Sequence, residues 1–380
     1  MGYNGERGSL NQFSDLYQYL ESNVKKDLKD LYKESTEADR KINKKELRYF
    51  YESKEIKLDT PLLSFDGGMT TLFQGTIAET CLLKVSAGIP PEFEEHFSKE
   101  NVNDIFFHTF VGKLSFESDP AKIKIIVKEE VARLASLKEF QSLLSSFKLS
   151  LEEFESSFFN LVNKWTDKSS LKDTIRELLE WSIIINFLNN NSLKTKKIEG
   201  DNIPFLIIKD GNISSNPKAV TNSISNKIKI LLKGEDEDLP LPLIVGAVKS
   251  SRFTGDSLLG KLIIQFGKRL PSHSFFRLPQ QYEVLLDKNF ADQPFDRYFL
   301  NLFQGESIYE IQIPTVISKN PNQKILEKVL DLIASQVTFR YGGTISTNSY
   351  AHEQASISAA EGQRLEDKIS EEMDEEIDNE

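Results

Sequence analysis

A single cysteine, Cys81, stands among 380 residues. That excludes an internal disulfide framework and any zinc site built on several thiolates. Histidine is nearly as scarce, at four. His96, His108 and His273 have no acidic companions at metal-ligand spacing, which leaves His352. No run of about 18 apolar residues exists, so no transmembrane helix is expected. The densest apolar stretch, Trp181 to Leu188, is short and interrupted by Ser182 and Asn186. The first residues, MGYNGERGSLNQF, lack the apolar core of a secretory signal. Together these absences point to the cytosol. Familiar enzyme signatures are missing too: no Gly-x-x-x-x-Gly-Lys-Ser/Thr, no Gly-x-Gly-x-x-Gly, no Gly-x-Ser-x-Gly and no His-Glu-x-x-His. Gly255 to Lys261 has the phosphate-loop spacing, but Leu262 follows and offers no hydroxyl for Mg²⁺. NTP hydrolysis, dinucleotide binding, serine hydrolysis and zinc proteolysis all lose ground.

Acidic charge is plentiful but unevenly placed. The net charge is -11, and residues 361–380 hold ten acidic against two basic side chains. The body of the chain is therefore close to neutral, and a local basic groove on it can still bind a polyanion. The acidic stretch 361–380 is expected to be a solvated, disordered tail.

The most informative stretch is Leu62 to Glu79, LLSFDGGMTTLFQGTIAE. Leu62 to Phe65 read as a buried strand that delivers Asp66 to a Gly-Gly break. A second extended run through Ile77 to Val85 suggests a hairpin. Before this stretch, Leu16, Leu20, Val24, Leu28 and Leu31 have helical spacing. Residues 35–58 read as a shorter helix or an arm, where Lys41, Lys44, Lys45 and Arg48 precede Tyr49, Phe50 and Tyr51. Such interleaving suits either nucleic-acid contact or a solvated helix with one packed face. Further on, Ser150 with Glu153, and Ser170 with Asp173, are helix-start devices. The second helix is expected to run to about Leu188, with Ile175, Leu178, Leu179, Ser182 and Ile185 on one face. Phe205 to Ile208 is a continuous apolar run, as in a strand covered on both sides, and it ends at Asp210-Gly211. Leu243 to Val248 is another such run, ending at Lys249. A hairpin at Gln304-Gly305-Glu306, a helix over 321–336 and a last helix from about Ser349, passing His352, complete the pattern.

Asp66 and Asp210 both terminate apolar strands. If those strands are neighbours, their carboxylates converge and repel unless a divalent cation lies between them. Oxygen ligands suit Mg²⁺ or Mn²⁺. Such a centre can activate water and stabilise charge on a phosphodiester. Each residue also has a plainer explanation. Asp-Gly is a hairpin-turn dipeptide. Glu180 is four residues beyond Arg176 and can simply pair with it. Lys249 can be a solvated strand-end cation, and His352 a partly buried residue near a helix start.

Taken in order, Phe65-Asp66-Gly67-Gly68, Ile207-Ile208-Lys209-Asp210-Gly211-Asn212, Val245-Gly246-Ala247-Val248-Lys249-Ser250-Ser251 and Tyr350-Ala351-His352-Glu353-Gln354-Ala355 resemble the NurA family of nucleases over about residues 60–358. Gly68 stands where a Ser is usual, and an Asn/Lys-rich insertion lies between Glu180 and Asp210. The resemblance implies an α/β, RNase H-like mixed sheet flanked by helices. It implies a Mn²⁺- or Mg²⁺-dependent deoxyribonuclease with single-strand endonuclease and 5′-to-3′ exonuclease activity. It also implies a homodimer working on a hexameric HerA-type ATPase in DNA end processing or defence. Asp66, Glu180 and Asp210 would hold metal, with Glu177 competing for the third carboxylate position, His352 would contact the metal or the leaving group, and Lys249 would steady the scissile phosphate. The alternatives are a non-catalytic subunit that guides DNA for a translocase, and an RNase using the same acids. The expected division is an N-terminal helical extension over 1–58 for dimer or partner contact, a nuclease domain over 59–360 and the acidic tail over 361–380.

Overall fold

The structure is a computed structural model of the chain. It describes residues 49–54, 60–73, 80–88, 105–110, 119–136, 138–164, 170–190, 205–213, 222–234, 243–248, 270–278, 293–301, 308–320, 322–338, 344–345, 351–353 and 355–379, and single residues 117, 203, 263, 264 and 267. The Leu16 to Leu31 helix, Lys249 and the extended run at 281–287 lie outside the described residues.

The strands are β1 (Tyr49–Glu52), β2 (Leu62–Leu72), β3 (Thr80–Gly88), β4 (Ile105–Phe110), β5 (Leu206–Asp210), β6 (Ile244–Val248), β7 (Ser274–Arg277), β8 (Phe295–Asn301), β9 (Ile308–Pro314) and the short pair β10 (Val337–Thr338) and β11 (Thr344–Ile345). The helices are α1 (Pro120–Leu134), α2 (Lys138–Ser146), α3 (Leu151–Lys164), α4 (Ser170–Asn190), α5 (Asn222–Lys233), α6 (Thr315–Ser318), α7 (Gln323–Ser335) and α8 (Ala359–Asn379). Nine strands form one mixed sheet in the order β1-β7-β8-β9-β6-β5-β2-β3-β4. Its centre, β2-β5-β6, is parallel. The flanking pairs are antiparallel. The α/β mixed sheet flanked by helices is the architecture that the resemblance implies.

Strand alternation explains what covers each side. On the first face, Leu63, Phe65, Ile207 and Ile244 pack with Val127, Phe154, Leu178, Trp181, Ile184 and Leu231 of the helices α1 to α5. On the second face, Leu62, Leu206, Ile208, Val245 and Ile311 pack with Ile325, Val329, Leu332 and Ile333 of α7. Each such fully buried aliphatic side chain contributes about 1.5–3 kcal/mol. β5 and β6 are apolar on both sides because both sides are covered. The capping box at the start of α3 is present: Glu153 N–H donates to Ser150 Oγ at 3.2 Å, and Ser150 N–H donates to Glu153 Oε2 at 2.8 Å.

Three expectations change. Residues 49–52 are not helical: they form β1, antiparallel to β7. Tyr49 and Tyr51 pack on the second-face core, and the Tyr51 hydroxyl lies 3.0 Å from the Asp331 carboxylate. The aromatics are thus spent on packing. Second, β2 does not stop at the glycines. It pairs with β3 without interruption from Ser64↔Gly88 to Leu72↔Thr80, so Asp66 sits inside a long strand rather than at its end. Third, the acidic stretch is helical as α8 rather than disordered. Ser358 and Glu361 form a second capping box there, missed in the sequence. Gly362 lies against Thr70 and Leu72 of β2, and the Phe73 N–H donates to the Glu366 carboxylate.

Candidate metal centre

Asp66 and Asp210 meet because of register. β2 and β5 are parallel, and their pairing reaches Phe65↔Lys209. The next residue on each strand is an aspartate, and both take the parity of the second face. The third member arrives from the other end of the chain. A helical turn at 351–353 precedes α8. It is seated by the fully buried Ala351 and Ala355, and Ala355 O occupies the space over Gly68. A Cβ on Gly68 would lie 2.0 Å from that oxygen, so glycine is required by the approach of this segment. His352 Nδ1 lies 2.7 Å from Asp66 Oδ2. An ionised carboxylate only accepts, so Nδ1 carries the proton in this contact. The other Asp66 oxygen accepts from Gly67 N–H at 2.8 Å.

One ligand atom from each of Asp66, Asp210 and His352 can be chosen so that all lie within 4.8 Å of one another. Donors around a single ion with bonds of about 2.1 Å stand roughly 3 Å apart when adjacent and 4.2 Å when opposite. The cluster therefore fits one cation after small side-chain adjustments. Two carboxylates and an imidazole match the donor preferences of Mn²⁺ and, with less nitrogen, Mg²⁺. Asp66 is buried, Asp210 half-buried and His352 exposed, so the centre opens to solvent on the histidine side.

Glu180 is not in this cluster. It lies on the opposite face of β2, under Gly67, with its carboxylate between Lys209 Nζ at 2.6 Å and Arg176 at 3.2 Å. The i, i+4 contact with Arg176 read from the sequence is thus made. Burial works to lower the Lys209 pKa, but Glu180 and Glu177 outweigh it and hold the ammonium charged. Burial pushes Glu177 up to about 7, with Lys209 pulling against it. Two participants escaped sequence reasoning. Lys209 is visible as the one cation in an apolar strand, at an inward-facing position. Tyr309, on β9, carried no signal; burial and then the Asp210 charge raise its phenol pKa.

Fold and cluster together define an α/β protein with a mixed sheet and an acid-histidine constellation where the pairing of two central parallel strands ends. No protein-family model and no curated protein matches the chain. Among solved structures, it is similar to the NurA nuclease from Sulfolobus solfataricus, at 13% identity over 95% of this chain and 98% of that one, with a TM-score of 0.42. A NurA bound to dAMP and manganese aligns at 12% identity over 90% and 94% of the two chains, with a TM-score of 0.35. A NurA with manganese aligns at 9% over 95% and 96%, with a TM-score of 0.33. No helix among the described residues is long and apolar enough to cross a membrane.

Proposed function

We propose that the chain is a metal-dependent DNA nuclease, a phosphodiester hydrolase whose Mn²⁺ or Mg²⁺ is held by Asp66, Asp210 and His352. The supporting observation is the convergence of these three side chains from distant parts of the sequence. Once bound, a divalent cation supplies Lewis-acid stabilisation of a phosphodiester and lowers the pKa of a bound water. The protein's own residues do the rest. Asp66 orients the His352 ring through the Nδ1–H contact, which leaves Nε2 free to face the cation. Lys249, outside the described residues, keeps its proposed contact to the scissile phosphate. Glu180 takes a supporting place rather than a ligand position.

The finer reading rests on the family resemblance that the ordered motifs carry. It comprises single-strand endonuclease and 5′-to-3′ exonuclease action, a homodimer, a HerA-type hexameric ATPase as partner, and a role in DNA end processing or defence. The test is cleavage of labelled single-stranded and duplex DNA with Mn²⁺ by wild type, Asp66→Ala and Asp210→Ala. Wild type is expected to cut and the two variants to lose at least about 100-fold. Equal activity in all three would remove the assignment. DNA binding without any metal-dependent cutting would instead favour a non-catalytic, DNA-guiding subunit.

A further inference from the structure

The β2-β5 ladder stops one residue short of the two aspartates, at Phe65↔Lys209. Each aspartate is tied to its outer neighbour, Asp66 to Ser86 of β3 and Asp210 to Ala247 of β6. The ladder does not tie them to each other, and their like charges push them apart. A side-chain bridge crosses the gap on the opposite face. Arg176 NH1 donates to Gly67 O at 2.9 Å and to Glu180 Oε1 at 3.2 Å. Lys209 Nζ donates to Glu180 Oε2 at 2.6 Å and to Asp210 O at 3.2 Å. The bridge thus runs from the backbone beside one aspartate, through Arg176, Glu180 and Lys209, to the backbone of the other. Gly67 makes room for it: a Cβ there would lie 2.7 Å from both Glu180 Oε1 and Arg176 Cγ. An ion triad whose Glu180 and Lys209 are buried is a poor way to gain stability, since the desolvation cost offsets most of the attraction. Its geometry accounts for it better.

We infer that Arg176, Glu180 and Lys209 are positioning residues, a clamp that sets the spacing of Asp66 and Asp210 from the far side of the sheet. This rests on the metal-centre reading above. Glu180 then acts on the metal through backbone, not as a ligand.

The test is Mn²⁺ binding to the full-length chain by calorimetry, with thermal unfolding of the metal-free protein alongside. Lys209→Met and Arg176→Met are expected to weaken Mn²⁺ binding roughly 10- to 100-fold, as loss of groups that orient ligands does. Lys209→Arg, which keeps the ion pair and a donor to Asp210 O, is expected to restore most of it. A merely structural role would lower the unfolding temperature and leave binding to folded molecules unchanged. Should Lys209→Met fail to fold, Arg176→Met decides, because Arg176 is partly exposed (30% of its side chain). Wild-type affinity in both Met variants would overturn the clamp and leave the metal centre standing. Absence of Mn²⁺ binding in wild type, or unchanged binding in Asp66→Asn, would overturn the metal centre and the clamp with it.

Discussion

His352 Nδ1 and Asp66 Oδ2 lie 2.7 Å apart although 286 positions separate them in the chain. The contact exists because β2 is long enough to carry Asp66 under one end of the C-terminal segment and Thr70 and Leu72 under the other. His352→Ala keeps the backbone of that segment, since Ala351 and Ala355 provide its buried contacts. It is expected to fold normally and, having lost a metal ligand, to slow Mn²⁺-dependent cleavage by roughly 100-fold or more. Steady-state cleavage rates beside a thermal melt will show whether the two effects separate.

Gly68→Ala tests how the histidine is delivered. The added methyl would meet Ala355 O at 2.0 Å, backbone against backbone, with no side chain to yield. Overpacking of this kind costs about 1–3 kcal/mol. Because the displaced group is one turn from His352, cleavage should fall by more than the loss of folded protein explains. Urea midpoints and rates on the same preparation give the comparison.

Glu177 predicts a pH dependence of stability. Its pKa rises from the ordinary 4.5 to about 7 in the folded chain, chiefly through burial, with Glu180 adding to the rise and Lys209 and Arg176 opposing it. Between those values the folded state binds the proton that the unfolded state releases. Stability from this group is therefore greatest below 4.5, falls as pH rises, and reaches its full penalty above about 7. The ceiling of that penalty is roughly 3 kcal/mol. Glu177→Gln should match wild type near pH 4.5 and exceed it by about 1–3 kcal/mol at pH 8. Denaturant titrations at several pH values check it, and curves that stay parallel would contradict it.

Ser358→Ala tests the ordering of the acidic helix. Ser358 Oγ accepts from Glu361 N–H at 3.1 Å, while Glu361 Oε2 accepts from Ser358 N–H at 2.8 Å. Losing such a cap costs about 1 kcal/mol, so amide exchange in the first turns of α8 should quicken about fivefold. Exchange mass spectrometry resolves that segment.

Much of this was legible in the sequence where local chemistry decides. The apolar runs at 205–208 and 243–248 announced covered strands, and Ser150 with Glu153 announced a helix start. The 321–336 helix showed its buried face in Ile325, Val329, Leu332 and Ile333. What stayed hidden depends on partners distant in the chain. Tyr49 and Tyr51 read as part of a shorter helix or an arm because their strand partner, β7, lies more than 200 residues away. The Gly67-Gly68 pair reads as a break at a strand end. Its real neighbours are the Arg176–Glu180 pair on one side and the Ala355 carbonyl on the other. Glu180 was placed with the aspartates from motif order, and order does not reveal which face of a strand a helix covers. The acidic stretch read as disordered because charge was weighed without the seat that Thr70 and Leu72 offer Gly362.

The most direct measurement is a Mn²⁺ soak of crystals of the full chain, with anomalous diffraction at the manganese edge. The expected result is a peak bonded to Asp66, Asp210 and His352, with Glu180 still held by Lys209 and Arg176. A manganese elsewhere, or none at saturating concentration, would contradict the assignment of this cluster as the metal centre.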